Sequence, residues 1–190
     1  PVEFYPMNFP VKPYEMGLYL ANEEDRVLKD VGEFKATGIR YEYLYNILPV
    51  RISLLNGMMD GGGYTDEKGN IWFTTRHKEL LNDFEFLVNS LGGIVSYNRD
   101  ENDIYKVLIK IYSKDVKIFG IKEKQDKVVY PTPNDCRRYI TSVSPSCVCD
   151  GQCIMVDSES HLYLTDKFIV THNTSMTTAI AGFAAANGYK

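Results

Sequence analysis

Residues 52–63 read ISLLNGMMDGGG, and this stretch decides the fold of the N-terminal part of the chain. Its apolar side chains run from Ile52 to Met59 and are interrupted only by Ser53 and Asn56. Three consecutive glycines then end the run, and glycine is the residue that most often stops a helix. The stretch therefore predicts a buried helix that ends at the glycines.

The segments on either side of this helix alternate between helical and strand-like patterns. Apolar residues recur at helical spacing in residues 80–91, and β-branched and aromatic residues dominate residues 71–75. Further predicted elements are a helix at 14–22, a strand at 107–112, short strands at 139–143, 153–156, 162–164 and 168–171, and an alanine-rich helix after residue 173. The sequence thus predicts an α+β fold, in which a mixed helix-and-strand part precedes a mostly-β segment.

The composition is that of an ordinary globular protein without a global basic surface. The chain has 190 residues, 44% of them hydrophobic, a net charge of −4 and a pI near 5.4. No apolar run is long enough to span a membrane and the first residues carry no secretory signal, so we expect a cytoplasmic protein without a membrane partner. Because the chain begins at Pro1 without a methionine, we also expect further sequence upstream.

A second informative stretch, KFIVTHNT, lies close to the C-terminus at residues 167–174. The side-chain amide of Asn173 can attack its own backbone carbonyl, form a succinimide and cut the chain behind itself. His172 can move the proton that this reaction needs, and the hydroxyl of Thr174 can accept an acyl group. The dipeptide alone favours a surface turn at a strand end, but the strand pattern before it favours chemistry on the backbone.

Residues 153–173 resemble the C-terminal splicing blocks of an intein, and the likeness runs through VDSESHLYLTDKFIVTHN at 156–173. The resemblance implies that Thr174 receives an acyl group from the upstream junction. It implies that Asn173 then cyclises and releases the intein, with His172 as the proton donor. Protein splicing of this kind needs no cofactor.

The resemblance also implies a part for His161 and Cys153 in the C-terminal steps. Many inteins have an Asp at the position of Cys153, but one class has a Cys there as the branch nucleophile, with a Thr before the final His. Cys153 and Thr171 both match that variant, and the choice between the variants stays open. Cys153 is also consistent with a small buried hydrophobic residue and His161 with a structural histidine. The four cysteines, Cys136, Cys147, Cys149 and Cys153, are expected to be thiols, because a reducing cytoplasmic compartment is expected. A zinc site is not expected, because no second ligand pair lies at zinc spacing from them.

Residues 55–63 resemble the nonapeptide of LAGLIDADG homing endonucleases, and residues 13–22 resemble its first copy. In that family two such helices pack together, and each presents an acidic ligand to divalent metal beside a DNA phosphate. The ligand positions fall on Asn22 and Gly62, neither of which supplies an anionic oxygen. Asp60 is close by but does not occupy the usual ligand position. We therefore expect a degenerate endonuclease domain without nuclease activity. Mg²⁺ would be a cofactor only if the domain were an active nuclease.

Seven lysines between residues 106 and 127 form a basic stretch, for which we keep two interpretations. The first is an ordinary solvated face, and the second is a remnant of a DNA contact surface that gives weak, salt-sensitive binding. The lysines are Lys106, Lys110, Lys114, Lys117, Lys122, Lys124 and Lys127.

The tail that follows Asn173 resembles the second half of a P-loop. Thr174-Ser175 precedes an alanine-rich helix, and an upstream Gly-Lys joined to Thr174 by splicing would complete the phosphate-binding motif. Such a host would be an ATP-binding protein like a RecA-like replicative helicase or a phage terminase.

Together these patterns predict four parts: an N-terminal segment at 1–13, a degenerate LAGLIDADG-type domain at 14–130, the C-terminal part of a Hint-like splicing domain at 131–173, and the start of the C-extein at 174–190. The predicted function is protein splicing, with the N-terminal intein half and the N-extein as partners. Two alternatives are an active homing endonuclease and a fragment of a P-loop ATPase.

Overall fold

The structure is a computed structural model that describes residues 1–22, 38–132, 142, 155–172, 181–183, 185–186 and 188. The chain divides into two units, Pro1–Asp135 and Cys136–Lys190. The described elements of the first unit are α1 (Pro13–Ala21), α2 (Tyr41–Leu44), α3 (Leu48–Gly62), β1 (Gly63–Thr65), β2 (Ile71–Thr75), α4 (Lys78–Ser90), β3 (Gly93–Arg99), β4 (Tyr105–Ile111) and α5 (Lys122–Gln125). Those of the second unit are β5 (Tyr163–Thr165), a 3-10 helix (Asp166–Phe168) and β6 (Ile169–Thr171).

The four strands of the first unit form one antiparallel sheet in the order β1-β2-β4-β3. Phe73 pairs with Val107 and Ile71 pairs with Ile109, so these four side chains share one face. All four are at most 2% exposed, because the helices cover this face. The ring of Phe73 stacks on that of Phe84 in α4, with centroids 4.4 Å apart. The core therefore lies between the sheet and the helices, and the opposite face of the sheet is open.

The main helices and strands predicted for the first unit are confirmed, and so is the α+β class. Strand β2 has the predicted bounds. Helix α3 begins at Leu48 and includes Pro49 in its first turn, where a backbone N–H would have no partner within the helix and proline is therefore tolerated. The sequence patterns missed α2, β1, β3 and α5. Strand β3 is an edge strand whose second half is exposed, so its apolar residues do not alternate in the way that identifies a strand.

The second unit contains a two-stranded hairpin at the place where two short strands are predicted. Strands β5 and β6 pair Tyr163 with Thr171 and Leu164 with Val170. The predicted strand at 153–156 is wrong at Met155 and Val156, which lie in no strand, and its first two residues lie outside the described residues. The predicted strand at 139–143 also lies outside them, apart from Ser142. Among the described residues, no helix combines the length and the apolarity that a bilayer crossing requires.

The turn between β1 and β2 is organised around the carboxylate of Asp66. Its Oδ1 accepts the backbone N–H groups of Lys68 and Asn70, each at 2.9 Å. Its Oδ2 accepts the side-chain amide of Asn70 at 2.8 Å and the indole N–H of Trp72 at 3.1 Å. These bonds favour the charged carboxylate, and they lower the pKa of Asp66 to about 2, with the Asn70 side chain as the largest cause.

We expect the stability of the first unit to depend on Asp66 in acid. Because the folded-state pKa is lowered, the contribution of this carboxylate is fully present above its ordinary value of 3.8 and is lost as the pH falls toward about 2. The indole N–H resonance of Trp72, the only tryptophan, is expected to titrate with a midpoint at about 2 in NMR spectra. Asp66→Ala should flatten the acid limb of the stability curve, and Glu67→Gln in the same turn should leave it unchanged. A midpoint for Trp72 at the ordinary aspartate value would contradict this assignment.

Candidate functional site

Helices α1 and α3 approach each other so closely that only glycine is tolerated at their contact. A Cβ atom on Gly57 would lie 2.0 Å from the carbonyl oxygen of Tyr14, and one on Gly17 would lie 2.3 Å from that of Leu54. Both distances are shorter than any contact that a real Cβ atom makes with backbone. The two glycines therefore allow the helix backbones to touch.

The contact continues to the C-terminal ends of both helices. A Cβ atom on Gly61 would lie 2.8 Å from the Cβ of Ala21, and one on Gly62 would lie 3.4 Å from it. Gly62 is the last residue of α3, and Asn22 directly follows Ala21 at the end of α1. The structure thus brings Asn22 and Gly62, the two predicted ligand positions, to adjacent helix ends.

A cavity of about 250 Å³ lies beside these helix ends. It is lined by Ala21, Gly62, Thr74, Thr75, Arg76 and Ile104. The lining offers hydroxyl groups and a guanidinium, and none of its described residues carries a carboxylate. Divalent cations such as Mg²⁺ are held by anionic oxygens, and the described residues of this lining supply none.

The carboxylate of Asp60 accepts hydrogen bonds from other residues of the first unit. It accepts the hydroxyl of Tyr14 at 2.8 Å and the backbone N–H groups of Gly120 and Ile121, each at 3.0 Å. The hydrogen bond to Asp60 is also the largest cause that raises the pKa of Tyr14. Asp60 therefore anchors the segment before α5 to the helix pair, and its oxygens are already hydrogen-bonded.

A lysine from α5 covers the C-terminal end of α3. The ammonium of Lys124 donates to the carbonyl oxygens of Asp60 at 2.8 Å and Gly63 at 3.1 Å, and it lies 3.5 Å from that of Met59. The last carbonyls of a helix carry partial negative charge and lack partners within the helix, so a cation there is stabilising. Lys124 thus places a positive charge at the C-terminal end of α3.

The described residues contain no group of three or more His, Cys, Asp or Glu side chains that could hold a metal ion. This agrees with the lining of the cavity and with the engagement of Asp60. Among the described residues, the ends of α1 and α3 therefore lie side by side without such a group of ligands.

Three of the seven lysines in the basic stretch at 106–127 have partners within the protein. Lys106 pairs with Asp100 at 3.4 Å, Lys122 pairs with Asp126, and Lys124 covers the end of α3. On the open face of the sheet, the register places Tyr64, Trp72 and Leu108 in one row. Lys106 and Lys110 lie on the same face, two residues before and two residues after Leu108 along β4. The open face therefore combines two aromatic rings with two lysines.

In the second unit, three of the candidate splicing residues lie at one end of the hairpin. Strand β6 ends at Thr171, which is 8% exposed, and His172 follows it. His161 precedes β5, adopts a positive φ of 52°, and places its Nδ1 3.3 Å from the carbonyl oxygen of Val156. Because Tyr163 pairs with Thr171, His161 and His172 both lie just beyond the paired end of the hairpin.

The remaining splicing candidates, Cys153, Asn173 and Thr174, lie outside the described residues. Sequence analysis also missed groups that the structure places at the helix ends. Thr74, Thr75 and Arg76 reach the cavity because β2 continues past the start of β1, where Gly63 pairs with Phe73. The only sequence signal for them was the position of Arg76 directly after a predicted strand.

Comparison with known proteins adds two findings. Residues 49–125, which extend from α3 to α5, match the family model described as a LAGLIDADG-like domain. A replicative DNA helicase DnaB from Mycobacterium intracellulare is 27% identical over 159 residues, which cover 78% of this chain and 28% of the helicase. The chain therefore spans less than a third of the curated relative that it matches.

Proposed function

We propose that the chain is the C-terminal part of an intein and that it functions in protein splicing at the Asn173–Thr174 bond. The observation that carries this proposal is the order of the parts. A LAGLIDADG-like domain is followed by a β-hairpin that ends at Thr171, immediately before His172 and Asn173. A nuclease-like domain nested before such a junction is the arrangement that an intein would have.

The final step can be written for the residues of this chain. The hydroxyl oxygen of Thr174 carries an acyl group received from the upstream junction. The side-chain nitrogen of Asn173 then bonds to its own backbone carbonyl carbon and loses a proton to solvent, while the peptide bond to Thr174 breaks. His172 gives a proton to the departing amine of Thr174. This amine then attacks the ester carbonyl, the ester C–O bond breaks, and the new peptide bond and the free hydroxyl of Thr174 are formed.

The exposed apolar side chains of the hairpin support the proposal that a further β-rich segment packs against it. Leu164 and Val170, which pair across the hairpin, are 44% and 61% exposed, and Leu162 is 45% exposed. An apolar patch of this kind on so small an element favours burial against another β-rich segment. The N-terminal half of the splicing domain is the partner that this proposal requires.

The helicase relative supports a host of the P-loop ATPase class. An upstream Gly-Lys joined to Thr174-Ser175 would form the end of a phosphate-binding loop ahead of the helix that includes residues 181–183 and 185–186. In this proposal the last 17 residues belong to the host, and the ATPase activity is a property of the spliced host alone.

The experiment that tests the proposal expresses the chain together with its upstream coding sequence. Mass spectrometry should find two products, a ligated host protein and a free intein that ends at Asn173. The ligated junction should place the upstream host sequence directly before Thr174. A single unprocessed precursor after prolonged incubation, with the intein folded, would contradict the proposal.

An active endonuclease is the second candidate, and the lining of the cavity argues against it. The unaltered chain is expected to show no saturable Mn²⁺ binding at the helix ends, because Asn22 and Gly62 provide no carboxylate there. Asn22→Asp/Gly62→Asp is expected to create a site with a Kd of about 1 mM. Paramagnetic broadening of the Ala21 and Thr74 amide signals would report binding at this place.

The matched control for this prediction is Asn8→Asp/Gly182→Asp, which makes the same two changes at residues far from α3 in sequence. Asn8 is exposed, and a Cβ on Gly182 meets nothing within 4 Å. This control should bind Mn²⁺ no better than the unaltered chain at the Ala21 and Thr74 signals. Equal broadening of those signals in the unaltered chain would show that the helix ends hold metal without the two carboxylates.

A weak contact with DNA is compatible with the inactive domain. The open sheet face presents Tyr64, Trp72 and Lys110, a combination suited to a phosphate backbone and exposed bases. Such binding would be independent of divalent metal and would weaken steeply with salt.

A further inference from the structure

Residues 1–12, here called the strap, lie on the first unit without forming a helix or a strand. Three of its residues are held by both of their backbone groups. Val2 donates its N–H to the carbonyl oxygen of Ser90 at 2.8 Å, and its own carbonyl accepts from the guanidinium of Arg51. This pairing resembles one rung of a β-ladder, but one partner is a side chain.

The other two held residues are each bound by a single side chain. Met7 donates its N–H to Oδ1 of Asn46 at 3.3 Å and accepts from Nδ2 of the same residue at 2.8 Å. Val11 donates its N–H to the hydroxyl of Tyr43 at 3.1 Å, and that hydroxyl donates to the Val11 carbonyl at 2.8 Å. The three contacts recognise backbone rather than side chains, so they do not depend on the identity of the residue held.

Each held residue directly follows a proline, in the pairs Pro1-Val2, Pro6-Met7 and Pro10-Val11. Proline has no N–H and fixes φ near −65°, which favours an extended chain and lowers the entropy lost on docking. Lys12, which precedes Pro13, has φ −55° and ψ 135°, as a residue before proline prefers. The prolines thus occupy positions whose backbone N–H is not needed for a hydrogen bond. They also keep the chain extended, which positions the N–H groups of Val2, Met7 and Val11 for theirs.

Aromatic rings complete the surface beneath the strap. The ring of Phe4 lies 5.4 Å from that of Tyr45, which in turn stacks on Tyr41 at 4.5 Å and lies 4.8 Å from Phe86. The guanidinium of Arg51 lies over the Phe4 ring at 4.8 Å. Aromatic surfaces flanked by hydrogen-bonding side chains are the general means by which proteins bind extended proline-rich peptides.

We propose that this surface, formed by Tyr43, Tyr45, Asn46, Arg51 and Ser90, is a binding site for an extended proline-containing peptide. In this chain the site is occupied by the strap itself. Because recognition rests on backbone groups at three points, a separate peptide with the same spacing of prolines can replace the strap. The proposal does not depend on protein splicing.

The test uses the full chain with Met7→Pro/Val11→Pro, which removes two of the held N–H donors while keeping an extended backbone. A fluorescent peptide of sequence PVEFYPMNFPVK is added in trans, and binding is followed by fluorescence anisotropy. The variant is expected to bind this peptide at least ten times more tightly than the unaltered chain, whose own strap competes at a millimolar effective concentration. The same peptide with proline at its positions 7 and 11 is expected to bind at least ten times more weakly.

Addition of Asn46→Ala to the strap variant should also abolish peptide binding, because it removes both contacts to the Met7 backbone. Equal affinity of the variant and the unaltered chain would overturn the proposal. So would equal affinity for the two peptides, or no measurable binding by the strap variant.

A second measurement on the unaltered chain guards against poor folding of the variant. Amide hydrogen exchange at Val2, Met7 and Val11 is expected to be at least ten times slower than at Glu3 and Asn8 of the same strap. Uniformly fast exchange along residues 2–11 would mean that the strap is not held, and the proposal would then be wrong.

Discussion

Gly57→Ala is expected to remove about 3 kcal/mol or more from the stability of the first unit, which would leave it close to unfolded. The added methyl group would lie 2.0 Å from the carbonyl oxygen of Tyr14 and 3.0 Å from the Cα of Gly17. Both atoms belong to the backbone of α1, so no side-chain rotation relieves the collision. The two helices would have to separate, and their buried side chains, including Met16 and Met58, would lose contact with each other.

Urea denaturation followed by the fluorescence of Trp72 measures this effect, because the only tryptophan lies in the first unit. Gly182→Ala is the matched control, since it makes the same change where a Cβ meets nothing within 4 Å. It is expected to leave the midpoint of the first unit unchanged. If Gly57→Ala shifted the midpoint no more than Gly182→Ala did, the close contact between α1 and α3 would not exist in solution.

The second large effect concerns Asn173→Ala, which is expected to reduce release of the C-terminal segment by about a thousandfold or more. Alanine has no amide nitrogen, so no succinimide can form and the bond to Thr174 stays intact. Thr174 can still receive the acyl group, so a branched intermediate is expected to accumulate. Gel electrophoresis under denaturing conditions, with mass spectrometry of the bands, would identify this branched species.

Two variants serve as comparisons for Asn173→Ala. Asn102→Ala changes an exposed asparagine in the β3–β4 turn and is expected to splice at the normal rate. His172→Ala removes the proposed proton donor while leaving the nucleophile, so a slowing of about 10²- to 10⁴-fold is expected. Release from Asn173→Ala at the rate of Asn102→Ala would mean that another group breaks the bond.

The elements that sequence patterns identified are those whose burial follows a simple period. Strand β2 and helix α4 were predictable because residues 71–75 alternate in burial and Leu80, Phe84 and Leu87 repeat on one helical face. Strand β3 was not, since pairing with β4 rather than its own pattern makes it a strand. Local residue choice carries no information about such a partner.

The candidate site was predictable only where a residue's role depends on its neighbours in sequence. Asn22 and Gly62 were identified from the nonapeptide pattern, and the structure places both at adjacent helix ends. The hydrogen bond from the Gly120 N–H to Asp60 could not be predicted from the sequence, because the two residues lie 60 positions apart in the chain. The hydrogen bonds from Asn46 to the Met7 backbone were hidden for the same reason, because the two residues lie 39 positions apart in the chain.

The most direct test of splicing is the chemical state of the C-terminus of the released intein. The chain is expressed with its upstream sequence, and the C-terminal peptide of the free intein is sequenced by tandem mass spectrometry at early times. The account predicts an aminosuccinimide at Asn173, one water lighter than a free C-terminal asparagine, which hydrolyses slowly afterwards. A C-terminus at any other residue, or an unmodified Asn173 carboxylate from the earliest time point, would contradict it.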